Sequence, residues 1–270
     1  MKVQIDQEKC IRCEICFREC PSSVIELDAD DGYPFYRDPS PAGACISCSH
    51  CAILCPTAAI TLDFLPADKR READLSLLPK PEQYQTLMAT RRSVRQFKPE
   101  GLPRQEINRI LEIANLAPTA TNSQKVHWLI TEPETTRKLR ERAEELVNKA
   151  AAEAPDDVFA QRHTYRFSLE IDSIFRTAPH AAIALVPADY FWADDGIIAL
   201  THFDNACHAL GYGSCWGGLL RNLLTDYAEL RAMLGIGDDF KVCNTILFGA
   251  RVLPITDQLP LREPLKVRYT

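Results

Sequence analysis

No stretch of this 270-residue chain is apolar for long enough to cross a bilayer, which takes about 20 residues, so no membrane span is expected. No secretory leader pattern opens the sequence, and its cysteines do not read as a disulfide framework. The expected setting is therefore a reducing, low-oxygen cytoplasm. An excess of positive charge is also missing. The formal net charge is -6, which disfavours a nucleic-acid surface. Nor does any GxGxxG dinucleotide fingerprint occur, since the glycine-rich run 211–218 (GYGSCWGG) has a different spacing. What the chain has in quantity is cysteine, 11 in all, and most of them fall into two ordered runs.

The runs are Cys10-x2-Cys13-x2-Cys16-x3-Cys20-Pro21 and Cys45-x2-Cys48-x2-Cys51-x3-Cys55-Pro56. A [4Fe–4S] cube needs one thiolate per iron. Three cysteines two residues apart can wrap one side of a cube, and the fourth must come from further away. Zinc would favour well-separated pairs of ligands instead. The text around the cysteines repeats as well: CIRCEICFRECPSSVIELD aligns with CISCSHCAILCPTAAITLD. Ile11 and Ile46, Ile25 and Ile60, and Leu27 and Leu62 are thus expected to pack around the cubes and keep water off the sulfurs. His50 is expected to be a solvated neighbour. The pattern resembles the two-cluster bacterial-type ferredoxin, in which the last cysteine of each run ligates the other cluster. This assigns Cys10, Cys13, Cys16 and Cys55 to one cluster, and Cys45, Cys48, Cys51 and Cys20 to the other.

Composition shifts beyond the second run. Residues 1–65 are expected to form the ferredoxin domain. Residues 66–81 hold Pro66, Pro79 and Pro81 around a charged stretch from Asp68 to Asp74, which reads as a linker with one short helix. Residues 82–270 read as a mixed α/β domain. Its expected elements are a helix after Pro103, a strand at 126–130, a helix over 134–152, and buried strands at 181–186 and 245–249. The segment 196–210 is apolar almost all round, which predicts a helix buried on every side and a place at a subunit interface. Residues 1–66 hold 10 acidic and 5 basic side chains. That excess could steer a basic redox partner or serve solubility alone.

Three texts in the second domain carry chemistry. Arg91-Arg92-Ser93-Val94-Arg95 offers guanidinium forks suited to phosphate, though such a run can also be a solvated turn. Ala117 to Gln124 (APTATNSQ) joins a helix to a strand through small residues, with Asn122 and Gln124 as amide donors. The third text is the glycine-rich run at 211–218. In this order, and with the late Pro260-Leu261-Arg262, they resemble the nitroreductase family of FMN flavoproteins over residues 82–270. With the N-terminal half, the chain is similar to a ferredoxin–nitroreductase fusion.

The resemblance implies an α+β protein: a two-cluster ferredoxin domain, then an α/β sandwich whose central, mainly antiparallel sheet is flanked by helices. It implies a homodimer with FMN at the interface. Arg91, Arg92, Ser93, Arg95 and Arg262 would surround the phosphate and ribityl chain. Pro118, Thr119, Ala120 and Asn122 would line the isoalloxazine from the partner subunit, and Ser214, Gly217 and Gly218 would cover the ring face. The sequence departs from the family where Gln124 is followed by Lys125-Val126-His127-Trp128 instead of a proline and an aromatic. Lys125 then lies near the flavin or in solvent. No catalytic side chain is assigned. His127, His180, His202 and His208 are expected to be structural, and Cys207, Cys215 and Cys243 to be small core residues. The expected activity is a relay from a one-electron donor (a ferredoxin, a flavodoxin or an oxidoreductase), through two [4Fe–4S] clusters and FMN, to a small acceptor of nitro, quinone or enone type. The competing readings are an electron-transfer adaptor and a flavin-binding protein without turnover.

Overall fold

The computed structural model describes residues 3–66 and 69–270, so Asp68, at the head of the charged linker stretch, lies outside it. The chain divides into two compact units. One holds the N-terminal residues to Leu78 together with Thr119–Gln124, and the other holds Pro79–Pro118 and Lys125–Thr270.

The first unit is built twice over. Strand β1 (Val3–Ile5) precedes the first cysteine run, whose short helix α1 (Ile15–Arg18) leads to β2 (Ile25–Leu27). After β3 (Pro34–Tyr36), the second run carries α2 (His50–Ile53) and ends in β4 (Ile60–Leu62). Strand β1 pairs antiparallel with β4, and β2 with β3. The two halves share their backbone irregularities. Left-handed φ values occur at Arg12 and Ser47, Glu14 and Ser49, and Ser23 and Ala58, and none of these residues is glycine. Such conformations cost energy for L-residues, and they persist here because the turns must aim several sulfurs inward. Val3, Cys16, Ile25, Ala52, Ile60 and Leu62 form the small core. Ile11 is 62 % exposed, yet it lines the pocket that Cys10, Cys13, Cys16 and Cys55 share. Leu27 is only half-buried, and His50 is exposed as expected.

Among the described residues of the linker, Leu75–Leu77 form a 3-10 turn. The second unit then runs α3 (Pro81–Thr90), α4 (Arg104–Ala114), β5 (His127–Ile130), α5 (Pro133–Glu153), α6 (Val158–Ser168), β6 (His180–Pro187), α7 (Asp194–Ala209), β7 (Gly213–Trp216), α8 (Gly218–Asp226), α9 (Ala228–Met233) and β8 (Phe240–Gly249). Strands β5, β6, β8 and β7 lie side by side in that order, every pair antiparallel. Strand alternation sorts the core. Ala181 and Ile183 of β6 face a layer with Leu139, Val147 and Leu220. Ala182 and Ala184 face Ile110, Leu200 and Phe203 on the other side. The sandwich thus has helices on both faces of one sheet, which is the architecture expected.

Two expectations need correction. Strand β8 begins five residues before the expected 245, because its first half is only half-buried and mixes polar with apolar residues. Within a single chain, helix α7 is not buried on every side. Leu200, Phe203 and Cys207 are buried, but Ile198, Thr201 and Ala209 are exposed. A helix in an outer layer presents one stripe away from its sheet, and on α7 that stripe includes an isoleucine. Among the described residues no helix is long and apolar enough to cross a membrane.

Candidate cofactor-binding sites

The eight run cysteines gather into two pockets in the first unit. One is lined by Cys10, Cys13, Cys16 and Cys55, the other by Cys20, Cys45, Cys48 and Cys51. The fourth cysteine of each run therefore sits with the first three of the other. Its sulfur is held in the same way in both halves: Val24 N–H donates to Cys20 Sγ at 3.4 Å, and Ala59 N–H donates to Cys55 Sγ at 3.2 Å. Burial opposes ionisation of Cys55, but the N–H groups of Thr57 and Ala59 outweigh it and draw the thiol below its usual value. Cys51 goes the other way, pushed up to about 11 by burial and by the neighbouring Cys48 and Cys45. A crowded thiol set of this kind ionises readily only when positive charge is supplied among the sulfurs, which an iron cluster does.

In the second unit, the end of α3 and the segment after it form a cationic cavity. Arg91, Arg92, Ser93 and Arg95 line a space of about 440 Å³ together with Pro260, Leu261 and Arg262. The late arginine and the early ones thus meet. An adjoining cavity of about 340 Å³ adds Arg251, Leu253 and Pro254 to Arg92, Ser93 and Arg95. The segment is fixed by main-chain bonds: Val94 N–H donates to Ser214 O at 2.8 Å and Lys98 N–H to Ala250 O at 2.8 Å. Gly213 is required at this crossing, since a Cβ there would lie 2.9 Å from the Val94 side chain. Arg92 donates to the carbonyls of Ala89 and Arg91 and so caps α3. This donor set suits a doubly charged anion such as a phosphate monoester.

Sequence reasoning missed Asp204. It is buried on α7, accepts from Ser214 Oγ at 2.5 Å and from Trp216 Nε1 at 3.3 Å, and faces Arg91 Nη1 at 3.4 Å. The sequence signal was a carboxylate in the middle of the largely apolar segment 196–210. Arg251 was also missed. Burial holds its guanidinium below the usual value, and it donates to the Tyr212 carbonyl.

The remaining assigned residues are arranged as follows. Asn122 belongs to the first unit, where its amide donates to the carbonyls of Ile46 and Ser47 at 3.2 and 3.1 Å. Thr119 Oγ1 accepts from Gln124 N–H, and Ala120–Asn122 form a 3-10 turn. Pro118 stays with the second unit. Ser214 turns inward to Asp204. Gly217 N–H donates to Thr245 O and accepts Thr245 Oγ1 on its own carbonyl, both at 2.8 Å. Gly218 opens α8 with free space where a Cβ would be. Lys125 Nζ sits 5.3 Å from the centre of the Tyr190 ring. His180 is buried between Thr131 O, to which Nδ1–H donates at 2.7 Å, and Leu102 N–H, which donates to Nε2 at 2.8 Å. His208 Nε2 pairs with Thr90 Oγ1. Cys207 and Cys215 are buried, and Cys243 Sγ packs where a Cβ on Gly196 would fall.

Residues 88–250 match the nitroreductase family, and residues 9–60 match a 4Fe-4S dicluster domain. No curated protein matches the chain. Among solved structures, a nitroreductase with bound FMN from Bacteroides fragilis NCTC 9343 is 22 % identical, with a TM-score of 0.57 over 68 % of this chain and 98 % of that one. A nitroreductase with bound FMN from Desulfitobacterium hafniense DCB-2 is 20 % identical, with a TM-score of 0.55 over 69 % and 97 %. An iodotyrosine deiodinase bound to FMN and 3-iodo-L-tyrosine is 19 % identical, with a TM-score of 0.52 over 69 % and 98 %. At these identities the likeness is one of fold.

Proposed function

The chain belongs to the nitroreductase family, and from that premise we propose that it is an FMN-dependent oxidoreductase fed by two [4Fe–4S] clusters. Electrons enter from a one-electron donor such as a ferredoxin, a flavodoxin or an oxidoreductase, and leave to a small organic acceptor of nitroaromatic, quinone or enone type. The observation that carries this reading is the sorting of the cysteines into two foursomes, each completed by the last cysteine of the other run. Two such sites in one chain with a flavoprotein fold raise the effective concentration of electron donor at the acceptor.

In this reading Cys10, Cys13, Cys16 and Cys55 hold one cluster, and Cys20, Cys45, Cys48 and Cys51 the other. Arg91, Arg92, Ser93, Arg95 and Arg262 hold the FMN phosphate and ribityl chain. When bound, FMN supplies a two-electron store able to deliver a hydride equivalent. Pro118, Thr119 and Ala120 of a second copy serve the ring, with Gly217 and Gly218 on its face. A homodimer is supported by the apolar residues that one chain leaves uncovered: Ile198 on α7, and Leu261 and Tyr269 in the extended C-terminal segment. The acidic N-terminal unit favours a basic donor surface.

The test is anaerobic. Purified protein is assayed for iron and flavin, then titrated with a reduced low-potential donor. Bleaching of the flavin in step with the clusters, followed by turnover of a small acceptor, is the expected result. Flavin that stays oxidised while the clusters are reduced would sink the relay. Cys13→Ser should lose the iron of one cluster and slow flavin reduction, and full iron content in that variant would refute the ligand set.

A further inference from the structure

The two cysteine runs are near-copies, but one of them is held by a side chain from outside the repeat. Asn122 Nδ2 donates to two successive carbonyls, Ile46 O and Ser47 O, in the turn between Cys45 and Cys48. Carbonyls only accept, so the amide orientation follows from its partners. Its Oδ1 is taken by Gln124 Nε2 at 3.3 Å. In the first run the corresponding residues are Ile11 and Arg12. Among the described residues no side chain donates to their carbonyls.

A trans peptide points its N–H away from its C=O. The peptide whose carbonyl is Ile46 O carries the N–H of Ser47 on the side away from Asn122, and that N–H favours the Cys45 thiolate against the burial that pushes the thiol up. Asn122, the Ile46–Ser47 peptide and Cys45 Sγ therefore form a chain of donors all pointing toward the sulfur. Bonds in such a chain polarise one another. Ser47 holds a left-handed φ of 57°, a conformation that persists only where surrounding contacts over-determine it. Asn122 itself, at φ 53°, is one of the few residue types that tolerate that region.

We infer that Asn122 is a positioning residue that tunes one of the two iron–sulfur clusters, the one held by Cys20, Cys45, Cys48 and Cys51. It locks and polarises the N–H directed at the Cys45 sulfur. This rests on the reading that these cysteines hold a cluster. An N–H dipole aimed at a cluster sulfur stabilises the added negative charge of the reduced state and raises the reduction potential. The clamp thus separates the potentials of two otherwise similar clusters, and it makes the clamped one the better electron acceptor of the pair.

The test is a potentiometric titration of the holoprotein followed by electron paramagnetic resonance, wild type against Asn122→Ala. Iron and flavin are measured first. Wild-type protein without iron would defeat the underlying cluster reading, separately from this inference. With iron equal in both proteins, the expected result is a downward shift of one midpoint potential and an altered signal for one cluster, the other unchanged. Two unmoved potentials, two potentials moved together, or loss of flavin with both clusters unaffected would each overturn the assignment. If Asn122→Ala does not accumulate, Asn122→Asp keeps the volume, removes the donor, and should shift the same single potential downward.

Discussion

The pairing of Arg91 with Asp204 makes the proposed phosphate site testable by a mutant cycle. Arg91 lies 3.4 Å from a carboxylate whose side chain is only 5 % exposed, while Arg91 itself is 28 % exposed. At an effective dielectric of about 20 the attraction amounts to roughly 5 kcal/mol, and solvent at the arginine screens it to about 2 kcal/mol. Removing Arg91 therefore does two things at once. It deletes one charge-assisted hydrogen bond to the phosphate, a loss of about 1.5–3 kcal/mol, or about 10- to 100-fold in affinity. It also leaves the Asp204 carboxylate without its cationic partner, so that its repulsion of the phosphate adds to the loss. Arg95→Ala incurs only the first loss. The double variant Arg91→Ala/Asp204→Asn removes that charge and should recover part of the affinity lost in Arg91→Ala. The assay is quenching of FMN fluorescence on titration with flavin-free protein, at two salt concentrations, with iron content as a control. If the double variant binds FMN no more tightly than Arg91→Ala, Asp204 is not felt at the site and the electrostatic argument fails.

Two further outcomes follow from the packing. Gly217→Ala places a Cβ 2.3 Å from Thr245 Oγ1, whereas Gly218→Ala meets nothing within 4 Å. The first should cost about 1–3 kcal/mol through overpacking and lower the thermal midpoint, and the second should be nearly neutral; equal midpoints would contradict this. Burial holds the His180 pKa below 6.5, against the pull of the Thr131 carbonyl. A folded-state value below the unfolded one means that the stability it contributes is complete above about pH 6.5 and is lost as pH falls toward the folded value. Protonation also removes the acceptor for Leu102 N–H. Hydrogen exchange at the Leu102 amide, corrected for intrinsic rate, should therefore lose protection as pH drops from 7 to 5, and constant protection would rule this out.

Much was legible in the sequence because the relevant signals are local and periodic. Cysteine spacing defines the cluster loops, since three ligands of a cube must lie within one turn of chain, and the repeat at 35 residues extends to matching helices, strands and left-handed residues. Strand β6 was readable because an uninterrupted apolar run is what a sheet covered on both faces requires. The first half of β8 and all of β7 were not, because short half-polar strands carry no distinctive period. Helix α7 read as buried all round because nothing in its composition marks which stripe lacks a covering layer.

By itself the sequence determined the two cofactor chemistries to be expected and the basic segment that would face an anion, since ligand identity and short-range spacing are written residue by residue. Only the tertiary structure decided how distant residues combine. It brought Cys55 to the first run and Cys20 to the second, drew Arg262 to Arg91 and Arg95, and set Asp204 behind them. It also directed the Asn122 amide to the carbonyls beside Cys45. These partners are separated by tens of residues or more, and long-range contacts depend on sheet register and layer packing, which no local pattern encodes.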